Sequence, residues 1–318
     1  MKTVKGGGEE QHRKSAEEDE DVSLLDGEAF RALYPREYLA RFVKEGVRPD
    51  GRELGAARSV EVVGGAASAS DGSAMVRIGG TVVIAAVRLV VKQLEWNERD
   101  SEEGELIVGL DVPPLATGKS GRANVDSVAM SQRLADVINA DVVDLRQLCI
   151  KKGCFVWIAL LDVYCLDHSG SVFDAALVAA VAALRAVDIP SVRVSDDGRT
   201  CERIDGALST AAEGMEAHTA GENDEAKGVI LRPHTRLSLR RVPLSLTCGV
   251  FDGVFLADPT AEEEELIDST ITIAVDEKGH VLGISKPGGL FALNHENLRM
   301  LVEAAKMRHA EIVGLIPP

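Results

Sequence analysis

Apolar positions recur at three- and four-residue steps over Gly27–Glu45, where Phe30, Leu33, Tyr34, Tyr38, Phe42 and Val43 share one face. This spacing predicts a helix that Gly46 ends. The pattern then changes to that of strands. Arg48-Pro49-Asp50-Gly51-Arg52 is a turn by its Pro-Asp-Gly centre. Short strands are expected at Val60–Val63 and Ser73–Ile78, a hairpin turn at Gly79-Gly80, and a long apolar strand at Thr81–Leu89 suited to a buried place in a sheet. Glu95–Glu105 is a polar loop, and Leu106–Val112 reads as a further strand. Val128, Leu134, Val137 and Ile138 make an apolar stripe along a helix expected over Val125–Val143. Phe155–Leu166 is a long apolar strand. Ser171–Val187 is rich in Ala, Val and Leu on every side, the pattern of a helix buried between layers, and Pro190 stops it.

Asp196–Lys227 is polar and has no period. Strands resume at Leu237–Val250, Gly253–Ala257 and Ile271–Val275. Glu277-Lys278-Gly279 turns the chain into a returning strand, Val281–Ser285. His295–Ile316 is a closing helix with Leu298, Leu301, Val302, Ala305, His309 and Val313 on one face. The order of elements predicts an α/β sandwich of the α+β type, with mixed sheets enclosing helices rather than a strict βαβ repeat. No repeat of solenoid period is present. The expected division is an acidic leader at residues 1–26, then one domain over 27–318 with a polar insertion at about 204–228.

Composition sharpens this picture. A chain of 318 residues that is 45% hydrophobic can bury a sizeable core, and 4% aromatics make that core aliphatic. A formal net charge of -16 argues against RNA binding by the whole surface while leaving room for a local basic path. Glu9–Asp21 and Glu213–Asp224 have the composition of disorder. The acidic run Glu262–Glu265 lies among apolar residues and is expected at a strand or turn edge. An odd count of five cysteines, with neither a CxxC pair nor a signal peptide, suits a reducing compartment and cysteines buried as small hydrophobes. Cys149 and Cys154 have no second ligand pair at zinc spacing, and the histidines show no HExxH pattern, so no metal site is predicted. No cofactor motif is present, and no apolar stretch is long enough to span a membrane.

Gly118-Lys119-Ser120 lacks the glycine five residues earlier that a phosphate loop requires, since Pro113 stands there. Lys119 and Arg122 remain candidates for RNA phosphates, as does Arg240. Asp167-His168-Ser169 cannot form a triad, because the three groups must converge from separate elements. Ser169 or Ser171 is expected instead near a helix N-cap. If Leu237–Val250 is one strand, Arg240 and Arg241 point to opposite faces.

Taken in order, several segments resemble the RNase PH family and, within it, the ring subunits of the eukaryotic RNA exosome. They are Arg48–Arg52, Asp71–Ala74 leading to Ile78–Ile84, Leu110–Leu115, Leu166–Ala175, Asp258-Pro259-Thr260 with Glu262–Glu264, and Lys286–Gly289. The resemblance implies an RNase PH-like (ribosomal protein S5 domain 2-like) fold. It also implies a place in a six-membered ring of RNase PH-like chains, with cap subunits carrying RNA-binding domains, an associated hydrolytic nuclease, and RNA. Active members cleave RNA from its 3' end with inorganic phosphate, held by a Gly-Thr-Arg turn that starts the buried helix. Here that turn aligns with Ser171, Val172 and Phe173. A second phosphate arginine aligns with Asp126, and Arg122 lies one turn away. The family's two acids, six residues apart, align with Leu256 and Glu262; a two-residue slip would place them at Asp258 and Glu264. With these positions degenerate, the resemblance implies a noncatalytic scaffold without cofactor or metal, residing in nucleus, nucleolus and cytoplasm. The alternative is a working phosphate-dependent 3'-to-5' exoribonuclease.

Overall fold

A computed structural model describes residues 27–95, 102–117, 123–195, 200–204, 228–232 and 235–317; for 117, 123–126 and 228–232 it describes the backbone alone. The expected leader, most of the insertion, Lys119 and Arg122 lie outside the described residues.

The described residues begin with two helices, α1 (Gly27–Leu33) and α2 (Pro35–Lys44). The expected single helix is broken because Pro35 supplies no N–H and Tyr34 before it takes an extended φ of -131°. A mixed sheet of six strands follows: β1 (Val60–Gly64), β2 (Gly72–Ile78), β3 (Thr81–Gln93), β4 (Glu105–Asp111), β5 (Cys149–Lys151) and β6 (Phe155–Asp167). Its order is β1-β2-β3-β6-β4, with β5 also on β6. Neighbours run antiparallel except β4, which lies parallel to β6 with Leu110 opposite Val163. Burial alternates along β3 and β6, as expected of strands with one face on the core. Between β4 and β5 come a short α3 (Pro114–Thr117) and α4 (Ala123–Asn139), which packs on β4.

Helix α5 (Val172–Arg185) holds the architecture together. Every residue from Val172 to Leu184 is buried. The helix packs on β2, β3 and β6 on one side and on β12 (Leu244–Phe251) on the other. Deleting such a leucine, Leu177 or Leu184, costs about 2–5 kcal/mol through lost transfer energy and the cavity left behind. The second sheet has the order β13-β12-β14-β15, where β13 is Val254–Ala257, β14 Ser269–Val275 and β15 Val281–Ser285. A short helix α6 (Ala261–Glu264) joins β13 to β14, and α7 (His295–Val313) covers β12 and β14 through Leu301 and Ala305. Smaller ladders, β7 (Asp188–Ile189) with β11 (Thr235–Arg236) and β8 (Ser191–Ser195) between β9 (Cys201–Ile204) and β10 (Gly228–Arg232), frame the insertion.

Two local expectations need correction, and the serine expected near a helix N-cap is there but bonded differently. The strand expected from Leu237 starts at Leu244, just after Pro243, so Arg240 sits in a bend and no strand alternation orients it. The Glu262–Glu265 run is mostly helical: the Thr260 hydroxyl and the Glu263 carboxylate form a capping box that starts α6. Ser171 occupies the N-cap of α5 but takes a left-handed φ of 50°, and its hydroxyl donates to the Pro259 carbonyl (3.3 Å) rather than capping the helix.

Candidate functional site

Three segments meet at the start of α5: residues 48–58 before β1, the turn 168–171 after β6, and residues 258–264 after β13. Asp258 ends β13 with a left-handed φ of 50°. That bend aims its carboxylate at Arg58, which donates from Nε (2.8 Å), Nη2 (2.6 Å) and its own backbone N–H (2.8 Å). Burial opposes ionisation, yet the Arg58 guanidinium holds the Asp258 carboxyl below the usual carboxylate range. Arg58 also donates to the carbonyls of Ser169 (2.7 Å) and Gly170 (3.1 Å), so one side chain ties two of the segments together.

Arg48 is fully buried. It grips Glu263 through Nε (2.9 Å) and Nη2 and donates to the carbonyls of Ala257 (2.6 Å) and Asp258 (3.2 Å). Each buried charge is thus paired and its donors satisfied, the condition under which a buried ion pair is tolerated. Arg52 adds a bond to the Asp258 carbonyl at 3.2 Å.

The turn itself is tightly seated. Gly170 has φ 98°, and a Cβ there would stand 2.3 Å from the Pro259 carbonyl oxygen. The Thr81 hydroxyl donates to the Gly170 carbonyl (2.6 Å) and accepts the Ser169 N–H (3.1 Å). Glu264 reaches the next amide: its Oε1 accepts the Ser171 N–H at 2.7 Å, and its Oε2 lies 4.0 Å from His168 Nε2. Burial, opposed by the Ser171 amide and Arg58, pushes the Glu264 carboxyl up to about 7. One turn into α5, the buried Asp174 accepts from the Ser245 hydroxyl (2.6 Å), the Thr247 N–H (2.7 Å) and the Thr247 hydroxyl (3.0 Å). Its desolvation outweighs these bonds and pushes it up to about 6.

Phe173 is 6% exposed and belongs to the main core cluster. The Arg133 guanidinium from α4 lies 5.2 Å from its ring centroid and donates to the Ser285 hydroxyl at 2.9 Å. The two residues line a cavity of about 160 Å³ that also touches Thr272 and Ile284.

Of the positions picked out in sequence, Phe173 lies here. Leu256 and Glu262 are not brought together: Leu256 is fully buried in a cluster with Leu39 and Phe251, and Glu262 is exposed and paired with Arg31. The acids the fold does place beside the 168–171 turn are Asp258 and Glu264. Asp126 lies in α4 at a backbone-only position. Arg240 is on the surface, paired with Asp141 (2.6 Å) and Asp144 (3.0 Å). Sequence reasoning missed Arg58, and it placed Arg48 and Asp174 inside resembling segments without giving either a role. Among the described residues no group of three His, Cys, Asp or Glu could hold a metal ion, and no helix is long and apolar enough to cross a membrane.

What the arrangement can do follows from its charges. A helix start is a natural anion site, but here the Ser171 amide before α5 already donates to the Glu264 carboxylate and the first turn presents Phe173 and Asp174.

Comparison with known proteins agrees with this architecture. Residues 56–190 match domain 1 of the 3' exoribonuclease family, RNase PH, and residues 241–308 match its domain 2. The chain is 29% identical over 270 residues to the exosome complex component Rrp42 of Methanopyrus kandleri, covering 84% of this chain and 87% of that one. It is 29% identical over 266 residues to the exosome complex component rrp43 of Schizosaccharomyces pombe, covering 82% and 85%. Its fold is that of a chain in the Archaeoglobus fulgidus exosome with RNA bound to the active site, at a TM-score of 0.69 and 24% identity over 88% of this chain and 96% of that one. With the models for both domains matched in order along more than half of the chain, the protein belongs to the 3' exoribonuclease (RNase PH) family.

Proposed function

We propose that this chain is a noncatalytic subunit of an RNA exosome core ring, supporting 3'-to-5' processing and degradation of RNA, including ribosomal RNA maturation and messenger RNA turnover. It pairs with other RNase PH-like chains in a six-membered ring, beneath cap subunits and beside a hydrolytic nuclease that cuts the RNA, in nucleus, nucleolus and cytoplasm. The names of its relatives support the ring assignment. The observation that carries the noncatalytic part is Phe173, buried in the turn where the family's resemblance calls for a phosphate-binding arginine. A charge-assisted clamp on phosphate is not replaced by a ring. The neighbouring Glu264 and Asp174 carboxylates add repulsion when ionised.

The juxtaposition of Asp258 and Glu264 beside that turn favours the rival, a phosphorolytic enzyme. Arg58, however, neutralises Asp258 and occupies the space around it. The test is a phosphate-dependent RNA decay assay on the purified chain, with affinity purification and native mass spectrometry of the tagged chain. Recovery in a multi-subunit ring with no nucleoside diphosphate released by the lone chain supports the proposal. Phosphate-dependent release of nucleoside diphosphates by the lone chain overturns the noncatalytic reading.

A further inference from the structure

A cavity of about 460 Å³ opens between the N-terminal helix pair and α6. Its apolar lining comes from Pro35, Tyr38, Leu39 and Leu266. Leu39 is buried, and Tyr38 and Leu266 are partly so. The charged lining is mostly acidic: Glu28, Glu262 and Glu265 are exposed, and Arg31 is the exposed cation beside them. Glu263 also borders the cavity, but its charge is already matched by the buried Arg48.

A second cavity of about 390 Å³ shares Arg31, Pro49, Glu262 and Glu263 with the first and runs on to Ser169 and Gly80. The two form one trough, and the Arg31–Glu262 pair lies where they join. Both side chains of that pair are at least half exposed, at 50% and 71%. Ion pairs of this kind contribute about 0–1 kcal/mol and exchange partners readily.

From this charge complementarity we propose that the trough is a docking site for a basic peptide segment of a partner protein. Aliphatic side chains of the segment would sit on Tyr38, Leu39 and Leu266. A lysine or arginine would take Glu262 from Arg31, with Glu28 and Glu265 holding further cations. The walls suit this role. The buried Arg48–Glu263 pair and the capping box fix α6, and the Phe30 ring of α1, its centroid 6.3 Å from that of Tyr38 and 4.3 Å from the Arg41 guanidinium of α2, fixes the helix pair. A rigid groove binds without a large ordering cost. The trough borders the turn at the start of α5 through Ser169 and Arg58, but the ring assignment rests on other observations, so failure of the docking proposal would leave it standing.

The experiment is fluorescence anisotropy of a labelled peptide in which two arginines flank a leucine pair, titrated with the full chain, beside the same peptide with glutamates replacing the arginines. The arginine peptide is expected to saturate and to bind at least about tenfold more tightly. Its affinity should fall as salt is raised from low to physiological strength, because exposed charges are screened. The double variant E28K/E262K should lose about tenfold in affinity for it. Both positions are on the surface, so the variant is expected to melt like the parent. Ala32→Trp, which fills the trough from α1 without changing charge, should weaken the arginine peptide comparably. Equal affinity for the two peptides, affinity unchanged by E28K/E262K, or displacement of the peptide by a short RNA oligonucleotide would each overturn the proposal.

Discussion

The Arg58 guanidinium holds the Asp258 carboxylate through two parallel hydrogen bonds of 2.8 and 2.6 Å, and the Arg58 amide adds a third at 2.8 Å. Both side chains are largely out of solvent, at 10% and 4% exposure. The pair joins the segment before β1 to the loop after β13, which are 200 residues apart in sequence. Removing one partner strands the other charge in a poorly solvated place. Asp258→Ala is therefore expected to cost about 3–5 kcal/mol, read as a lower denaturant midpoint at unchanged slope. A cost below about 1 kcal/mol would show that the clasp does not hold the two segments together.

The carboxylates around this clasp titrate in opposite directions. Asp258 is held below its ordinary value, so its contribution is present above about pH 4 and is lost as pH falls through the lower folded value. Asp174 at about 6 and Glu264 at about 7 are raised. Their contribution is full below the ordinary carboxylate range and lost as pH rises through 6 and 7. Stability is expected to peak near pH 4 and to decline on both sides. Glu264→Gln keeps an acceptor for the Ser171 N–H but removes the charge. Because the Glu264 side chain is about a quarter exposed, the expected gain at pH 8 is discounted to about 1–2 kcal/mol, with almost none at pH 4. Thermal melts of the two proteins across that range check the sign, and parallel curves would refute it.

Periodicity made the layers legible. The all-round apolar run at 172–184 read as a helix between layers, and the apolar runs at 81–89 and 155–166 read as long strands; that burial alternates along both strands emerged only from the structure. Chain breaks were less visible. Pro35 interrupts a face that is otherwise continuous, and Pro243 delays a strand whose apolar residues begin at Leu237. The site was harder still. Leu256/Glu262 and Asp258/Glu264 have the same spacing, so spacing alone cannot choose between them. What separates them is the left-handed turn at Asp258, a property of the folded backbone. The roles of Arg58 and Asp174 gave no warning because their partners come from distant strands.

Gly170 is the position where the backbone itself sets the limit. Its φ of 98° disfavours any side chain, and a methyl group would collide with the carbonyl of Pro259 and the backbone of Thr260 and Ala261. Backbone strain alone is of order 1–3 kcal/mol, and relief of the collision requires the 258–264 loop to withdraw from the turn. Gly170→Ala is expected to cost about 3 kcal/mol or more. It should also speed hydrogen exchange at the Ser169 and Ser171 amides, which are bonded to Thr81 and Glu264. A Gly170→Ala protein as stable as its parent would mean that the turn is looser than its contacts indicate.

Phe173 separates structural from catalytic expectations. Truncation to alanine empties space beneath Arg133 beside an existing cavity of about 160 Å³, with an expected cost of about 3–5 kcal/mol. Substitution by arginine tests more. If the lost arginine were the sole deficiency, Phe173→Arg would restore phosphate-dependent RNA decay to the isolated chain. The surroundings argue otherwise: the incoming guanidinium would face Arg133, a cation already 5.2 Å from the ring centroid. Asp174 beside it is committed to Ser245 and Thr247, and the Ser171 amide is committed to Glu264. Phe173→Arg is therefore expected to lose stability and to gain no phosphorolysis, with nucleoside diphosphate release staying at background with and without phosphate. Appearance of phosphate-dependent release in that variant would show that the rest of the site is intact and that one residue separates this subunit from an enzyme.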